Sequence, residues 1–365
     1  MSTLHSPGPN ESAAPSPAET GQPTGAPAAA PAAQAPAAAS SARGVGGPVD
    51  GGGDPEPFTV DAAGAATVEE RDDDTAPATG TEPVGPTGRP LPDLPEPGPR
   101  RGGGPARVVA LVNQKGGVGK TTSTISLGAA LAAYGRRVLL LDFDPQGALS
   151  VGLGVNPNEL DRSVYNLMMD RDVTVDDVVL TTDVPNLHLL PSNIDLSAAE
   201  VALVGEVARE QVLARAIRPA LDDYDIVLID CQPSLGLLTV NALTAANGVI
   251  IPLECEFFAL RGVALLMDTI RKVQDRLNPD LVLDGILATM YDSRTTHSRE
   301  VLSRVVEAFG DTVFHTVIAR TVKFPDASIV GEPITQYAPT SPGADAYRQL
   351  AREFLARTEP VGEPA

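Results

Sequence analysis

Residues 108–122, VVALVNQKGGVGKTT, restrict the fold more than any other stretch of the chain. The apolar, β-branched run 108–112 favours a strand, and the glycines that follow cannot continue one. Helix-compatible residues resume at Thr121. A strand that turns through glycines into a helix is a phosphate-binding arrangement. The glycines let successive N–H groups point inward at an anion, and the helix adds its positive end. The loop reads Lys115-Gly116-Gly117-Val118-Gly119-Lys120-Thr121-Thr122. It departs from the common G-x-x-x-x-G-K-[ST] spacing, because Gln114 holds the first glycine's place and a second lysine opens the loop. In such a loop Lys120 lies along the outer phosphates and the Thr121 hydroxyl ligates Mg²⁺. Arginine outnumbers lysine 23 to 4 in the chain, yet two of the four lysines are Lys115 and Lys120. A compact ammonium suits a phosphate oxygen, and a planar guanidinium does not replace it.

The rest of the chain extends that beginning into a layered domain. Residues 121–134 place Ile125, Leu127, Ala130 and Leu131 on one helical face, with Gly135 as the C-terminal cap. Residues 137–142 then read as a fully buried strand, and a strand–helix–strand unit of this length implies parallel pairing. Further apolar runs fall at 187–190, 225–230, 248–253, 283–289 and 312–317. Helical patterns lie between and after them at 197–221, 236–246, 261–277, 298–309 and 344–356. Apolar strands alternating with amphipathic helices predict an α/β, doubly wound, mostly parallel sheet with helices on both faces. The domain is expected to span residues 105–358.

Residues 1–104 read differently. The first hundred hold 19 of the 34 prolines, one aromatic residue (Phe58), and 14 acidic against 4 basic residues. Such a composition cannot bury enough apolar surface to offset chain entropy, so a disordered tail is expected there and again over 359–365. MSTLHSPGPN lacks a basic start and an apolar core, and no run approaches the roughly 20 apolar residues of a membrane span. Cys231 and Cys255 have no metal or redox spacing and suit a reducing cytoplasm. A net charge of −20 excludes coating of nucleic acid by bulk attraction, so any DNA contact must use a local basic patch.

In doubly wound sheets ligands sit beyond the carboxyl ends of the strands. Two strands end there in acids: 142–147 reads Asp-Phe-Asp-Pro-Gln-Gly, and 230–234 reads Asp-Cys-Gln-Pro-Ser. Asp230, after four apolar residues, has the Walker B arrangement that holds Mg²⁺ directly or through water; a solvated strand-end carboxylate is the plain alternative. Asp144 is placed either to orient or deprotonate a water attacking the γ-phosphate, or simply to start a turn before Pro145.

Several motifs in order, NQKGGVGKTT, LLLDFDPQG, LPSNIDLSAAE, DIVLIDCQPSLGLLTVNAL, TMYDSRTTHS and QYAPTSPGADAYRQL, resemble the ParA/Soj family of partitioning ATPases within the deviant Walker A group. The resemblance covers about residues 107–356. It implies that Lys115 is the signature lysine reaching the partner subunit's phosphates in an ATP-sandwiched homodimer. It further implies that Lys120, Thr121 and Thr122 bind phosphate and Mg²⁺, that Asp144 is needed for hydrolysis, and that Asp230 is the Walker B acid beside a switch containing Pro233 and Ser234. Gly116, Gly117, Val118 and Gly119 complete the nucleotide-binding set. Members of the family bind duplex DNA non-specifically as ATP-bound dimers, and a ParB-type centromere-binding protein stimulates hydrolysis and release, so a cytoplasmic, nucleoid-associated protein is expected. Arg294, Arg320 and Lys323 are the DNA-binding candidates; 320–323 falls where the family places a backbone-contacting loop.

The pattern is broken at Gln232, where the family has proline, and at Ala319 and Thr321, where it has proline and asparagine near the adenine. The resemblance therefore assigns no base ligand. MinD-type regulators share the loop but end in a basic amphipathic helix that lies on the membrane; the ending AREFLARTEPVGEPA is acidic and proline-broken, so no membrane partner is expected. An iron–sulfur reductase of the nitrogenase iron-protein type would need cysteines placed to share a cluster between subunits, which Cys231 and Cys255 do not suggest.

Overall fold

The computed structural model describes residues 83–98, 103–256 and 259–359. Its centre is a seven-stranded sheet made of β1 (Arg107–Leu111), β2 (Val138–Phe143), β3 (Leu180–Thr181), β4 (Leu187–Leu190), β5 (Ile226–Cys231), β6 (Gly248–Glu254) and β7 (Val282–Thr289). The order across the sheet is β3-β4-β2-β5-β1-β6-β7. All pairings are parallel except β3 with β4, a two-residue edge strand absent from the sequence expectation.

Alternate residues of each strand feed two separate cores. Val109, Leu111, Leu140 and Leu228 face one side, where α1 (Lys120–Ala133) and α11 (Pro342–Thr358) pack. Val108, Ala110, Leu141 and Ile229 face the other, which is covered by α3 (Val164–Met169), α4 (Leu196–Ala202), α5 (Val212–Ile217), α6 (Leu237–Ala245), α7 (Ala259–Arg276) and α8 (Thr296–Phe309). Shorter helices α2 (Ala148–Val151), α9 (Lys323–Val330) and α10 (Ile334–Tyr337) cap the ends of the layers. With both faces covered, every residue of β1 after Arg107 and all of β2 and β5 are buried, which accounts for the unbroken apolar runs in the sequence. The sheet and α1 meet so closely that a Cβ on Gly128 would lie 2.6 Å from Leu140 Cδ2.

Three expectations are corrected. Residues 197–221 do not form one helix; α4 and α5 are separate, interrupted where Ala208 takes a left-handed φ of 55°. Residues 312–317 form no strand, but touch β7 through one bridge, Val313 to Ile286. The disordered tail expected over 1–104 is contradicted at residues 83–98, which pack on the domain. Arg89 donates to Gly310 O at 3.0 Å and Val313 O at 2.6 Å, Arg136 donates to Gly98 O at 2.9 Å, and Arg352 donates to Leu94 O. At the other end Glu359 accepts a two-point bond from Arg136. The expectations for 1–82, 99–102 and 360–365 lie outside the described residues.

Candidate active site

The site is assembled where β1, β2 and β5 end side by side. Register alignment places Asp230 beside Leu111 on one side and Asp142 on the other. The loop after β1 begins with Asn113, a buried residue whose Nδ2 donates to Pro252 O at 2.7 Å while its Oδ1 accepts Lys115 N at 2.9 Å. That amide shapes the loop's entrance, and nothing in the sequence singled it out. Gly117 and Gly119 then take φ values of 77° and 84°, which only glycine adopts without strain. The chain curls over Lys120, whose Nζ lies 3.3 Å from Lys115 O across the loop. Nothing stands within 4 Å of a Cβ built on Gly117, and the nearest atom to one on Gly116 is Pro233 Cβ at 3.9 Å. The result is an open cradle lined by backbone, with the predicted switch proline on its rim.

Below the cradle the acids gather. Thr121 Oγ1 donates to Asp230 Oδ2 at 2.6 Å, so a hydroxyl and a carboxylate share one point at the helix start. This is a hard-oxygen donor pair that suits Mg²⁺. Burial, followed by the charge of Asp142, pushes Asp230 up to about 8. Burial likewise lowers the Lys120 ammonium, against the pull of Asp230. A cation beside a carboxyl raised this way favours its ionised form. Asp142 is pushed up to about 6 by burial, although Ser150 donates to its Oδ2 from both Oγ at 2.7 Å and N at 2.8 Å. Its role is to tie β2 to α2.

Asp144 makes the turn considered for it and leaves its other carboxylate oxygen facing the cradle. Its Oδ1 accepts Gln146 N at 2.9 Å, which makes the turn before Gly147. Its Oδ2 makes no hydrogen bond among the described residues, and the side chain stays half-buried at the cradle. It is therefore free to meet a water.

Lys115 stands apart from Lys120. It is half exposed, and its ammonium pairs with Glu254 at 2.8 Å and Glu256 at 2.5 Å. Burial works to lower its pKa, and the two carboxylates overcome it to raise it. Neither acid was singled out in the sequence, where they look like ordinary residues flanking Cys255.

Beside the cradle opens a cavity of about 270 Å³, bounded by Gly119, Thr122, Ala319, Thr321, Phe324 and Pro325 among others. Met290 on its wall holds a left-handed φ of 50°, a strained conformation for a side chain of that size. Arg320 also lines this cavity, and a bridge from Tyr291 to Ala319 sets the loop carrying Arg294 beside the one carrying Arg320. Arg294 is held by Asp292 at 2.8 Å and Arg320 by Glu254 at 2.9 Å. The Lys323 ammonium has no ion pair among the described residues. Among the described residues no group of three or more His, Cys, Asp or Glu side chains could hold a metal. Both cysteine thiols are buried and pushed up by burial, Cys255 to about 12, which ill suits cluster ligation.

Comparison with known proteins gives this geometry its family. An AAA domain family model matches residues 106–283. An uncharacterised protein of Mycobacterium tuberculosis is 65% identical over 274 residues, 75% of this chain and 86% of that protein. The sporulation initiation inhibitor protein Soj of Bacillus subtilis is 46% identical over 250 residues, 68% of this chain and 98% of Soj. The chain belongs to the ParA/Soj family of partitioning ATPases. A crystal structure of cobyrinic acid a,c-diamide synthase from Mycobacterium smegmatis with bound ADP and magnesium is 47% identical with a TM-score of 0.60, covering 67% of this chain and 92% of that one. As a ParA-family ATPase the chain uses ATP and Mg²⁺, in keeping with the cradle and with the Thr121–Asp230 pair.

Proposed function

We propose that this protein is an ATP-driven DNA-partitioning switch, which dimerises around ATP, binds duplex DNA non-specifically in that state, and lets go when a ParB-type protein stimulates hydrolysis. The observation that carries the reading is the separation of the two lysines. Lys120 is folded into its own cradle, while Lys115 projects outside it and is held by Glu254 and Glu256. A cation placed there serves phosphates other than those of its own cradle, as a partner subunit's lysine would.

In this reading the backbone of Gly116–Gly119, with Val118, surrounds the phosphates, and Lys120 neutralises their outer oxygens. Thr121 and Asp230 hold Mg²⁺, which draws charge from the phosphate oxygens when bound. Thr122 and the neighbouring cavity take the sugar and base, with Ala319 and Thr321 supplying a smaller, less polar wall than the family usually has. Asp144 orients the attacking water through its unbonded oxygen, and Pro233 seats the switch against Gly116. Arg294, Arg320 and Lys323 form the DNA-facing patch, on a cytoplasmic protein that travels with the nucleoid.

A membrane cycle of the MinD type is less well supported. The apolar face of α11 is spent on the core, with Tyr347, Leu350 and Phe354 fully buried. Among the described residues no helix is long and apolar enough to cross a membrane. The deciding measurement is ATP turnover with and without duplex DNA and a ParB-type protein, together with mass in solution. ATP-dependent dimers and turnover that rises when both additions are present are expected. Asp144→Ala should keep ATP-dependent dimers on DNA while turnover drops on the order of 10²-fold or more. A chain that stays monomeric in ATP would refute the proposal.

A further inference from the structure

Among the described residues, no Asn, Gln, Asp or Glu bounds the cavity beside the cradle. Most of the polar side chains that do bound it are engaged elsewhere. Thr289 Oγ1 donates to Val118 O at 2.8 Å, and Ser328 Oγ donates to Phe324 O at 3.1 Å. Arg320 Nη2 donates to Glu254 at 2.9 Å, and the Tyr347 hydroxyl bonds Ser123 Oγ at 3.0 Å. Thr122 adjoins Lys120 and Thr121 at the phosphate end. Thr321 is left. Its Oγ1 accepts Lys323 N at 3.3 Å, so the group that it still offers is the hydroxyl proton, a donor.

That inventory decides which bases the cavity can tell apart. Adenine presents the N7 acceptor beside an amino group, where guanine presents N7 beside the O6 acceptor. A side-chain amide pairs with adenine at N6 and N7 together, and a carboxylate accepts guanine's donors; neither is present. A lone hydroxyl donor meets N7, which both purines carry. The apolar part of the wall is equally tolerant. Phe324 offers a ring face and Met290 a soft sulfur, and either packs against the flat side of any base. Ala319, Arg320 and Pro325 on the same wall are exposed, so an edge of the base turned towards them keeps its water. Strong discrimination needs a buried polar group that the wrong base leaves unpaired, and no side chain of this cavity supplies one.

We infer that the nucleotide site is a purine site and not an adenine site: the Thr321 hydroxyl reads N7 alone, and the chain takes GTP as well as ATP, with dissociation constants within about tenfold of each other. Thr321 is the specificity-determining residue, through the acceptor that it lacks. A pyrimidine has no N7 and covers less of the wall, so CTP binds more weakly than either purine triphosphate. The inference rests on the reading above, which seats the base in this cavity.

The test is displacement of a fluorescent ATP analogue from the full chain with Mg²⁺, read at equilibrium for ATP, GTP, CTP and the 7-deaza forms of both purines, all as slowly hydrolysed triphosphates. ATP and GTP should displace it at concentrations within about tenfold of each other. Loss of N7 should weaken both purines on the order of threefold to tenfold, the worth of one hydrogen bond. Thr321→Val should weaken ATP and GTP alike and bind the 7-deaza forms as well as their parents. A variant that merely disturbed the loop would keep the N7 effect, so this comparison separates base reading from the bond to Lys323. Thr321→Asn adds an amide and should favour ATP over GTP by about tenfold or more. A wild-type preference for either purine above about tenfold overturns the inference, by giving base selection to the backbone. Wild-type binding of the 7-deaza forms equal to that of their parents also overturns it. Displacement by ATP alone leaves the ATP switch standing and removes only the purine reading, whereas displacement by neither triphosphate removes both.

Discussion

At the scale of single residues, the site concentrates charge where water is scarce. Asp142 and Asp230 sit side by side on neighbouring strands, both fully buried, with Lys120 above them. Burial raises Asp142 to about 6 from an ordinary value near 4. A carboxyl with a higher pKa in the folded chain takes up a proton on folding at any pH between the two values. Its contribution to stability is therefore complete below about pH 4 and is lost as the pH climbs to about 6. A shift of this size corresponds to on the order of 3 kcal/mol, an upper bound. Asp230, raised further by burial and by Asp142, moves in the same direction. Asp142→Asn removes the titrating group and, with it, part of the upward push on Asp230, so both changes favour the variant as the pH rises. Unfolding free energies of the nucleotide-free chain at pH 4 and pH 7 should show the variant gaining on the wild type by a few kcal/mol. A gap that stays constant would mean Asp142 titrates like an exposed carboxyl.

At the scale of elements, the basic loops beyond β7 are less cationic than their sequence suggests. Arg294 is tied to Asp292, which it holds down at about 2, and Arg320 shares Glu254 with Lys115. Lys323, at the first position of α9, has no such partner among the described residues. Phosphate contacts by Lys323 therefore require no ion pair to be broken, whereas Arg320 must leave Glu254 first. Lys323→Glu should weaken ATP-dependent retention on DNA more than Arg320→Gln does, and should lower the slope of log affinity against log salt by about one unit for each phosphate left without its cation. Equal or reversed effects in a salt titration would move the patch elsewhere. The loops carrying these residues were the part of the fold least legible in the sequence. The strands and the cradle were readable because buried parallel strands and glycine-dependent turns leave strong local patterns. Residues 312–317 have the apolar content of a strand, but Phe314 and Ile318 reach opposite β7 through scattered bonds while the chain heads for the cavity. The break between α4 and α5 depends on Ala208 in a left-handed turn, which no residue type advertises. Asp144 and Asp230 were placed by position along their strands, whereas Glu254 and Glu256 became visible only when β6 was set beside the cradle.

At the scale of the whole molecule, the folded unit begins before β1. Residues 83–98 looked too polar and too rich in proline to pack, and by hydrophobic burial they are. What holds them is a series of arginine bonds to backbone carbonyls. Arg89 reaches from the segment to Gly310 and Val313, while Arg136 and Arg352 reach from the domain to Gly98 and Leu94. A short hairpin closes within the segment, with Leu91 N donating to Pro83 O at 3.0 Å and Thr87 buried beneath it. Patterns of apolar residues cannot report such ties, because the acceptors belong to the backbone and the donors lie up to 258 residues away. A charged donor in a partly buried bond contributes about 1–3 kcal/mol, so breaking one such tie costs on the order of 2 kcal/mol. In a domain of this size that corresponds to a melting shift of about 4–8 °C. Two truncations separate this from the tail's own effect. A chain starting at Pro83 should melt within about 1 °C of the full-length protein, since every tie among the described residues is kept. A chain starting at Pro105 should melt about 4–8 °C lower, and Arg89→Ala in the full chain should reproduce part of that drop. If the Pro105 chain melts with the full-length protein, residues 83–98 contribute nothing to the fold, and the domain begins at β1 as its composition alone would place it.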